Sequence, residues 1–170
     1  MFFDDRPKIK LQKSNFFKFL EILPFILLGL GLLYNIIMYL KLPENIPIHF
    51  NFYGEINDYA DKDSIWALNV LGFILVFIMY KLMQHPENFN YAIKITEQNA
   101  EKQYYSAIKT MNIINIILAM LFLVINYEIV NNAIHNGNGF SKFSNYLLNG
   151  LLILMVLIPI VQVIKSFKKS

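Results

Sequence analysis

Four long apolar blocks, each near the ~20 residues that a helix needs to cross the hydrocarbon core of a bilayer, leave this chain few folds to choose from. They cover Phe16–Leu40, Ile65–Met83, Met111–Val130 and Tyr146–Ile164. Hydrocarbon offers no partner for backbone N–H and C=O groups, so an isolated segment of this kind satisfies them as a helix. Apolar residues make up 56% of the 170 positions, above the roughly 45–50% of soluble globular chains, and the excess lies in these blocks. The second block is the shortest, with Asn69 and Tyr80 as its uncharged polar interruptions. The expectation is an all-α integral membrane protein with four transmembrane helices and a short extended segment in its first outer loop.

Arg6, Lys8, Lys10, Lys13 and Lys18 flank the start of the first block, as basic residues flank a secretory leader. The block is too long for one and ends in Tyr39-Leu40-Lys41 rather than in small residues, so it is expected to remain as the first span. Orientation follows from the same charges, because cytoplasmic loops retain Lys and Arg. One side collects those five residues with Lys81, Lys94, Lys102, Lys109, Lys165, Lys168 and Lys169; the other has only Lys41, Lys62 and Lys142. Both termini are therefore expected in the cytoplasm and the loop over 41–64 outside. The remaining organisation reads as a basic arm over 1–15, a first helix pair over 16–83, a cytoplasmic connection over 84–110, a second helix pair over 111–165 and a tail over 166–170. The net charge of +3 belongs to this topology and calls for no nucleic-acid partner. Cysteine is absent, which excludes disulfides and thiolate chemistry. Frequent Ile, Asn and Lys fit an AT-rich bacterial genome, and hence a multi-pass protein of a bacterial cytoplasmic membrane.

The intramembrane polar residues fall towards the span ends. Asn35, Asn69, Asn126, Glu128 and Asn149 lie towards the outer face, and Glu21, Asn112, Asn115 and Gln162 towards the inner one. The middle stretches, 25–33, 71–78, 116–124 and 151–158, carry no ionisable or amide side chain. Transporters place coupling groups at the midplane, so a monomeric conduit is disfavoured. Pro24, Gly29, Gly31 and Pro159 are ordinary in membrane helices. The asparagines read first as interhelical hydrogen bonds, worth about 0.6 kcal/mol on average. The sharper alternative is an outward vestibule of Asn35, Asn69, Asn126 and Glu128.

The outer loop is the part of the chain that looks specified. Pro43 and Pro47 restrict its backbone, Gly54 followed by acids marks a turn, and Ile48, Phe50 and Phe52 alternate with His49, Asn51 and Tyr53. That alternation predicts a strand resting its apolar side on the span ends. It would present His49 and Asn51 near Glu44, Glu55, Asp58, Asp61 and Asp63, with Asp63 serving as the N-cap of the second span. A metal site is not expected, because neither His49 nor His135 has a second ligand at a recognised spacing, and His85 lies on the other side. On the cytoplasmic connection, Thr96 is expected to cap a helix with Glu97 in its first turn. Ala100, Tyr104 and Ile108 recur every four residues there, with Tyr104 and Tyr105 at headgroup depth and Lys102 and Lys109 near anionic lipid. No catalytic motif of the serine-elbow, zinc-protease or phosphate-loop kind is present, so neither enzyme activity nor a cofactor is expected.

The segment Leu42-Pro43, Ile46-Pro47-Ile48-His49-Phe50-Asn51, Gly54, Asp58 and Lys62 resembles the bacterial family catalogued as domain of unknown function 1648. The pattern spans the end of one membrane helix and the start of the next, about a third of the chain. The same domain is found in proteins similar to the SdpI immunity protein, which protects a bacterium from its own secreted peptide toxin. SdpI-like proteins carry further spans and a second module that is not recognised over 112–170. The resemblance implies recognition of an extracytoplasmic peptide, toxin or partner protein without catalysis, in the manner of immunity or envelope-stress proteins. The candidate binding residues are His49, Asn51, Asp58, Lys62 and Glu128, with Pro43, Pro47 and Gly54 shaping the loop. The alternative is an accessory subunit or oligomeric component of a membrane transporter.

Overall fold

A computed structural model describes residues 6–167; Lys168 and Lys169 of the basic tail lie outside the described residues. Four helices, each long and apolar enough to cross a membrane, occupy the four apolar blocks: α1 (Asn15–Met38), α2 (Ser64–Leu82), α3 (Ala100–His135) and α4 (Lys142–Phe167). Ser14 starts α1 as its N-cap, accepting from the Phe17 amide at 3.2 Å. Pro24 sits inside α1 and Pro159 inside α4 without ending either helix.

The third block is the centre of the bundle. Half of the apolar window of α3 is buried within the protein, against 11% for α4, and α3 packs against α1, α2 and α4. Its 36 residues span about 54 Å at 1.5 Å per residue, so it extends well beyond a ~30 Å hydrocarbon core. The stripe Ala100, Tyr104, Ile108 faces inward as its spacing predicts. Tyr104 is fully buried within the protein, packed with Ile95 and Ala100 against Leu11 and Tyr91. Thr96 does not cap this helix. The helix begins at Ala100, and the Asn99 side chain instead closes the preceding turn, accepting from Thr96 N at 2.9 Å and donating to Lys94 O at 3.0 Å.

Between α1 and α2 the chain forms a β-hairpin, β1 (Asn45–Phe50) and β2 (Ile56–Asp61), paired antiparallel with Ile46 opposite Ala60 and His49 opposite Asp58. The predicted single extended segment is thus one half of a pair. The second strand, Ile-Asn-Asp-Tyr-Ala-Asp, is mostly exposed and acidic; its strand state comes from pairing with β1 rather than from an apolar pattern of its own. The hairpin rests on the bundle through Leu42 and Ile46, which pack with Ile65, Ile129 and Val130. The expected apolar face of Ile48, Phe50 and Phe52 is not formed. Irregularities of register on both sides of His49 rotate the strand, so Ile46 and Pro47 are buried while Ile48 and Phe52 are exposed.

Candidate functional site

The hairpin turn is built by Asn51. Its Oδ1 accepts from the amides of Tyr53 (2.9 Å) and Glu55 (3.0 Å), its Nδ2 donates to Glu55 Oε2 (2.8 Å), and Gly54 N donates to Asn51 O (2.9 Å). An asparagine so engaged shapes the turn, a role beyond the ligand contact expected of Asn51. Gly54 holds φ at +82°, the left-handed region that closes such a turn at little cost only for glycine.

The tip of this turn is clasped by the connection between α3 and α4. Asn136, in a left-handed conformation, ends α3, and the chain then runs back along the hairpin. Phe140 N donates to Gly54 O at 2.7 Å, Ile56 N to Asn138 O at 3.5 Å, and Glu55 pairs with Gly139 as an isolated bridge. Phe140 stacks on Phe50 with ring centroids 4.1 Å apart, and Asn145 Nδ2 donates to Tyr53 O at 2.9 Å.

Beneath the clasp lies Glu128, fully buried at 0% exposure. It does not snorkel to the surface. Its Oε2 accepts from Asn132 Nδ2 at 3.2 Å, and its Oε1 is buried without a hydrogen-bond partner in the structure. Asn132 in turn accepts from Gly139 N at 3.0 Å, so Glu128 reaches the hairpin through Asn132 and the clasp. A cleft of about 600 Å³ opens beside this end of the bundle, lined by Tyr34, Val124, Tyr127, Phe143 and Leu147 among others. Asn132, Gly139 and Phe140 were missed by the sequence reading. The signal for them is the Asn136-Gly137-Asn138-Gly139 run, a double turn sequence in which Asn136 and Gly139 take positive φ.

The other candidate residues part company. His49 and Asp58 face each other across the hairpin and are both exposed. His49 Nδ1 meets the Asn57 side-chain amide at 2.5 Å. Asp58 Oδ1 accepts from Tyr59 N at 2.9 Å. Lys62 stands at the base of the hairpin instead, its amine 3.3 Å from Glu44 Oε1 and 5.7 Å from the centre of the Tyr39 ring. Its backbone N–H donates to Glu44 O at 2.9 Å, so Lys62 fastens the two ends of the loop. Asp63 occupies the N-cap position of α2 without a capping bond and accepts from the Tyr39 hydroxyl. Pro43 is exposed and Pro47 buried.

The proposed vestibule is closed. Asn35 and Asn69 both donate to Asn126 Oδ1, the latter at 3.4 Å, and Asn126 donates to Phe122 O at 2.8 Å. These buried amides join α1, α2 and α3 directly, which is the structural role expected of them, and Glu128 is not one of the group. Gly31 and Gly72 let the helices approach, Gly72 lying against the Phe122 ring. Asn115 donates to Val76 O at 3.3 Å, a further buried amide joining α3 to α2. Among the described residues, no three His, Asp or Glu side chains converge where a metal could be held.

Residues 26–80 match the model of a family described as Domain of unknown function (DUF1648). The match begins inside α1, contains the whole hairpin and ends near the C-terminus of α2, so the resemblance drawn from the loop motif holds over these residues. It leaves out α3, the clasp, Glu128 and α4. No curated protein and no solved structure matches the chain.

Proposed function

We propose that this chain, which carries the domain of unknown function 1648 over its first helix pair, is a multi-pass protein of a bacterial cytoplasmic membrane that recognises an extracytoplasmic peptide, toxin or partner protein without catalysing a reaction. In this reading the termini are cytoplasmic and the hairpin is outside. One observation carries it: the hairpin backbone is tied down at its base by Lys62, at its turn by Asn51 and at its tip by Phe140, while His49, Asp58, Phe52 and Tyr53 remain exposed. A pre-ordered backbone holding solvent-facing side chains loses little entropy when it binds. The loop from 41 to 64 holds five carboxylates, at Glu44, Glu55, Asp58, Asp61 and Asp63, against Lys41 and Lys62. A cationic, extended ligand fits that balance better than an acidic one.

The test is made in cells. Deleting the protein should raise sensitivity to the cognate peptide, and His49→Ala with Asp58→Ala should reproduce that sensitivity at unchanged protein abundance. If the double variant protects as well as the wild type, the site assignment is wrong. A second reading, an accessory subunit of a membrane transporter, rests on α4, which packs chiefly on α3 and leaves most of its surface open. Substrate-dependent flux by the purified protein in proteoliposomes would favour that reading over recognition alone.

A further inference from the structure

The lysine-rich end of the bundle carries a feature that hairpin recognition does not use. At that end Gln162 of α4 donates to Ser106 of α3, yet only Ser144, Leu148 and Leu151 of α4 are buried, all in its first half. Between the two helices lies a groove of about 530 Å³, within the 300–1,000 Å³ of ordinary ligand sites. Its mouth holds Lys109 and Lys165 beside Ser106 and Gln162, which are hydrogen-bonded to each other, and Lys102 lines an adjoining cavity of about 270 Å³. Among the described residues, no carboxylate lines either space. Among the described residues, these three lysines make no side-chain hydrogen bond or ion pair. All three lysines line one cavity, and among the described residues none of them has a carboxylate partner.

Below the lysines the walls become apolar. Ile113 of α3 and Leu154, Leu157 and Val161 of α4 continue the groove towards the middle of the bundle. From Lys165 to Leu154 is about 16 Å along the helix at 1.5 Å per residue, close to the ~15 Å depth of one leaflet's hydrocarbon, half of ~30 Å. A cationic mouth over an apolar channel one leaflet deep matches one class of molecule. The cleft under the N-terminal arm is also rich in lysine, but it contains Glu21 and Glu87, and Lys13 there is already paired with Glu21 at 2.5 Å.

We propose that the groove between α3 and α4 binds one anionic phospholipid, its phosphate held by Lys102, Lys109 and Lys165 and an acyl chain lying against Ile113, Leu154, Leu157 and Val161. Lysine serves phosphate as a movable point charge, and basic pockets between helices on the cytoplasmic side suit anionic headgroups. The lipid would fill the gap that α4 leaves and hold it on α3. The inference rests on the membrane reading above but not on the hairpin's ligand.

The full chain is placed in nanodiscs of equal dioleoylphosphatidylglycerol and dioleoylphosphatidylcholine, and the lipid that stays bound on release is counted by native mass spectrometry. Phosphatidylglycerol should be retained at least tenfold over phosphatidylcholine. At roughly 1 kcal/mol per lysine, retention should fall about fivefold for Lys165→Ala and about 25-fold for Lys109→Ala with Lys165→Ala. Lys18→Ala with Lys94→Ala removes the same charge from exposed positions elsewhere and should leave retention unchanged. Ile113→Trp should abolish it with every lysine in place. Equal retention of the two lipids, equal loss in both lysine pairs, or displacement by millimolar inorganic phosphate would overturn the proposal. So would disulfide cross-linking between two copies carrying Leu154→Cys, which would put a second copy in the groove. Failure of the membrane reading is separately visible, as release of the chain from membranes by alkaline carbonate.

Discussion

Replacing Gly54 with alanine tests whether the hairpin is held as a unit with the clasp. The residue holds φ at +82°, which costs an L-residue about 1–2 kcal/mol. An added Cβ would lie 3.0 Å from Phe140 Cβ and 3.1 Å from its Cδ2. Phe140 cannot easily retreat, because its ring is stacked on Phe50 at 4.1 Å and its amide donates to Gly54 O itself; overpacking of this kind adds about 1–2 kcal/mol. The local opening free energy of the hairpin and clasp should therefore fall by about 2–4 kcal/mol. Amide exchange at Asn51, Gly54 and Phe140 should accelerate from about 30-fold to nearly 10³-fold, while amides of α1 and α3 keep their protection. Gly29→Ala is the matched control, since nothing lies within 4 Å of its added Cβ and alanine favours the helix. Unchanged exchange at the hairpin in Gly54→Ala would refute the clasp, and equal acceleration throughout the bundle would refute its local character.

The remaining predictions concern buried polar groups and one exposed pair. Asn126→Leu removes the acceptor shared by Asn35 and Asn69 and should cost about 1–2 kcal/mol, given ~0.6 kcal/mol per intramembrane hydrogen bond, read as a lower denaturation midpoint in detergent. Asn132→Ala strips Glu128 Oε2 of its donor and Gly139 N of its acceptor, and should cost about 2–4 kcal/mol; equal stability would remove Glu128 from any part in holding the clasp. Lys13→Ala leaves Glu21, whose side chain is 9% exposed, without its ion partner, and should destabilise by about 3–5 kcal/mol. Lys62→Ala breaks a pair whose Glu44 side chain is 82% exposed, and should cost less than about 1 kcal/mol in stability.

What could be read from the sequence was set by how locally each signal is encoded. The four helices declare themselves because every residue of an apolar block contributes to one requirement, satisfying the backbone in hydrocarbon. The family motif was legible for the same reason, since Pro43, Pro47, His49 and Gly54 lie within one short loop. The second strand was not, because Asn57, Asp58 and Asp61 have poor strand propensity and depend on β1 for their conformation. The alternation over Ile46 to Phe52 misled about which face is buried. Two register irregularities around His49 turn a period-two pattern through the position that mattered most, and such bulges leave no mark in hydropathy.

Glu128 shows the same limit in three dimensions. A carboxylate near the end of a span can be read as a snorkelling surface group or as part of a vestibule, and it is neither: it is buried and joined to Asn132 one helical turn away. The clasp that Asn132 holds lies more than eighty residues along the chain from the turn it grips, so no local pattern connects them. The division of labour follows from that geometry. The residues matched to the family, 26–80, supply the exposed edge of His49 and Asp58, whereas the unmatched α3 and its following loop supply the rigidity, through Phe140 on Gly54 and Asn132 on Gly139. A hairpin transplanted with only its own two helices would lose Phe140, Asn132 and Asn145 together. It would keep the exposed side chains of His49 and Asp58 and lose the contacts that order their backbone.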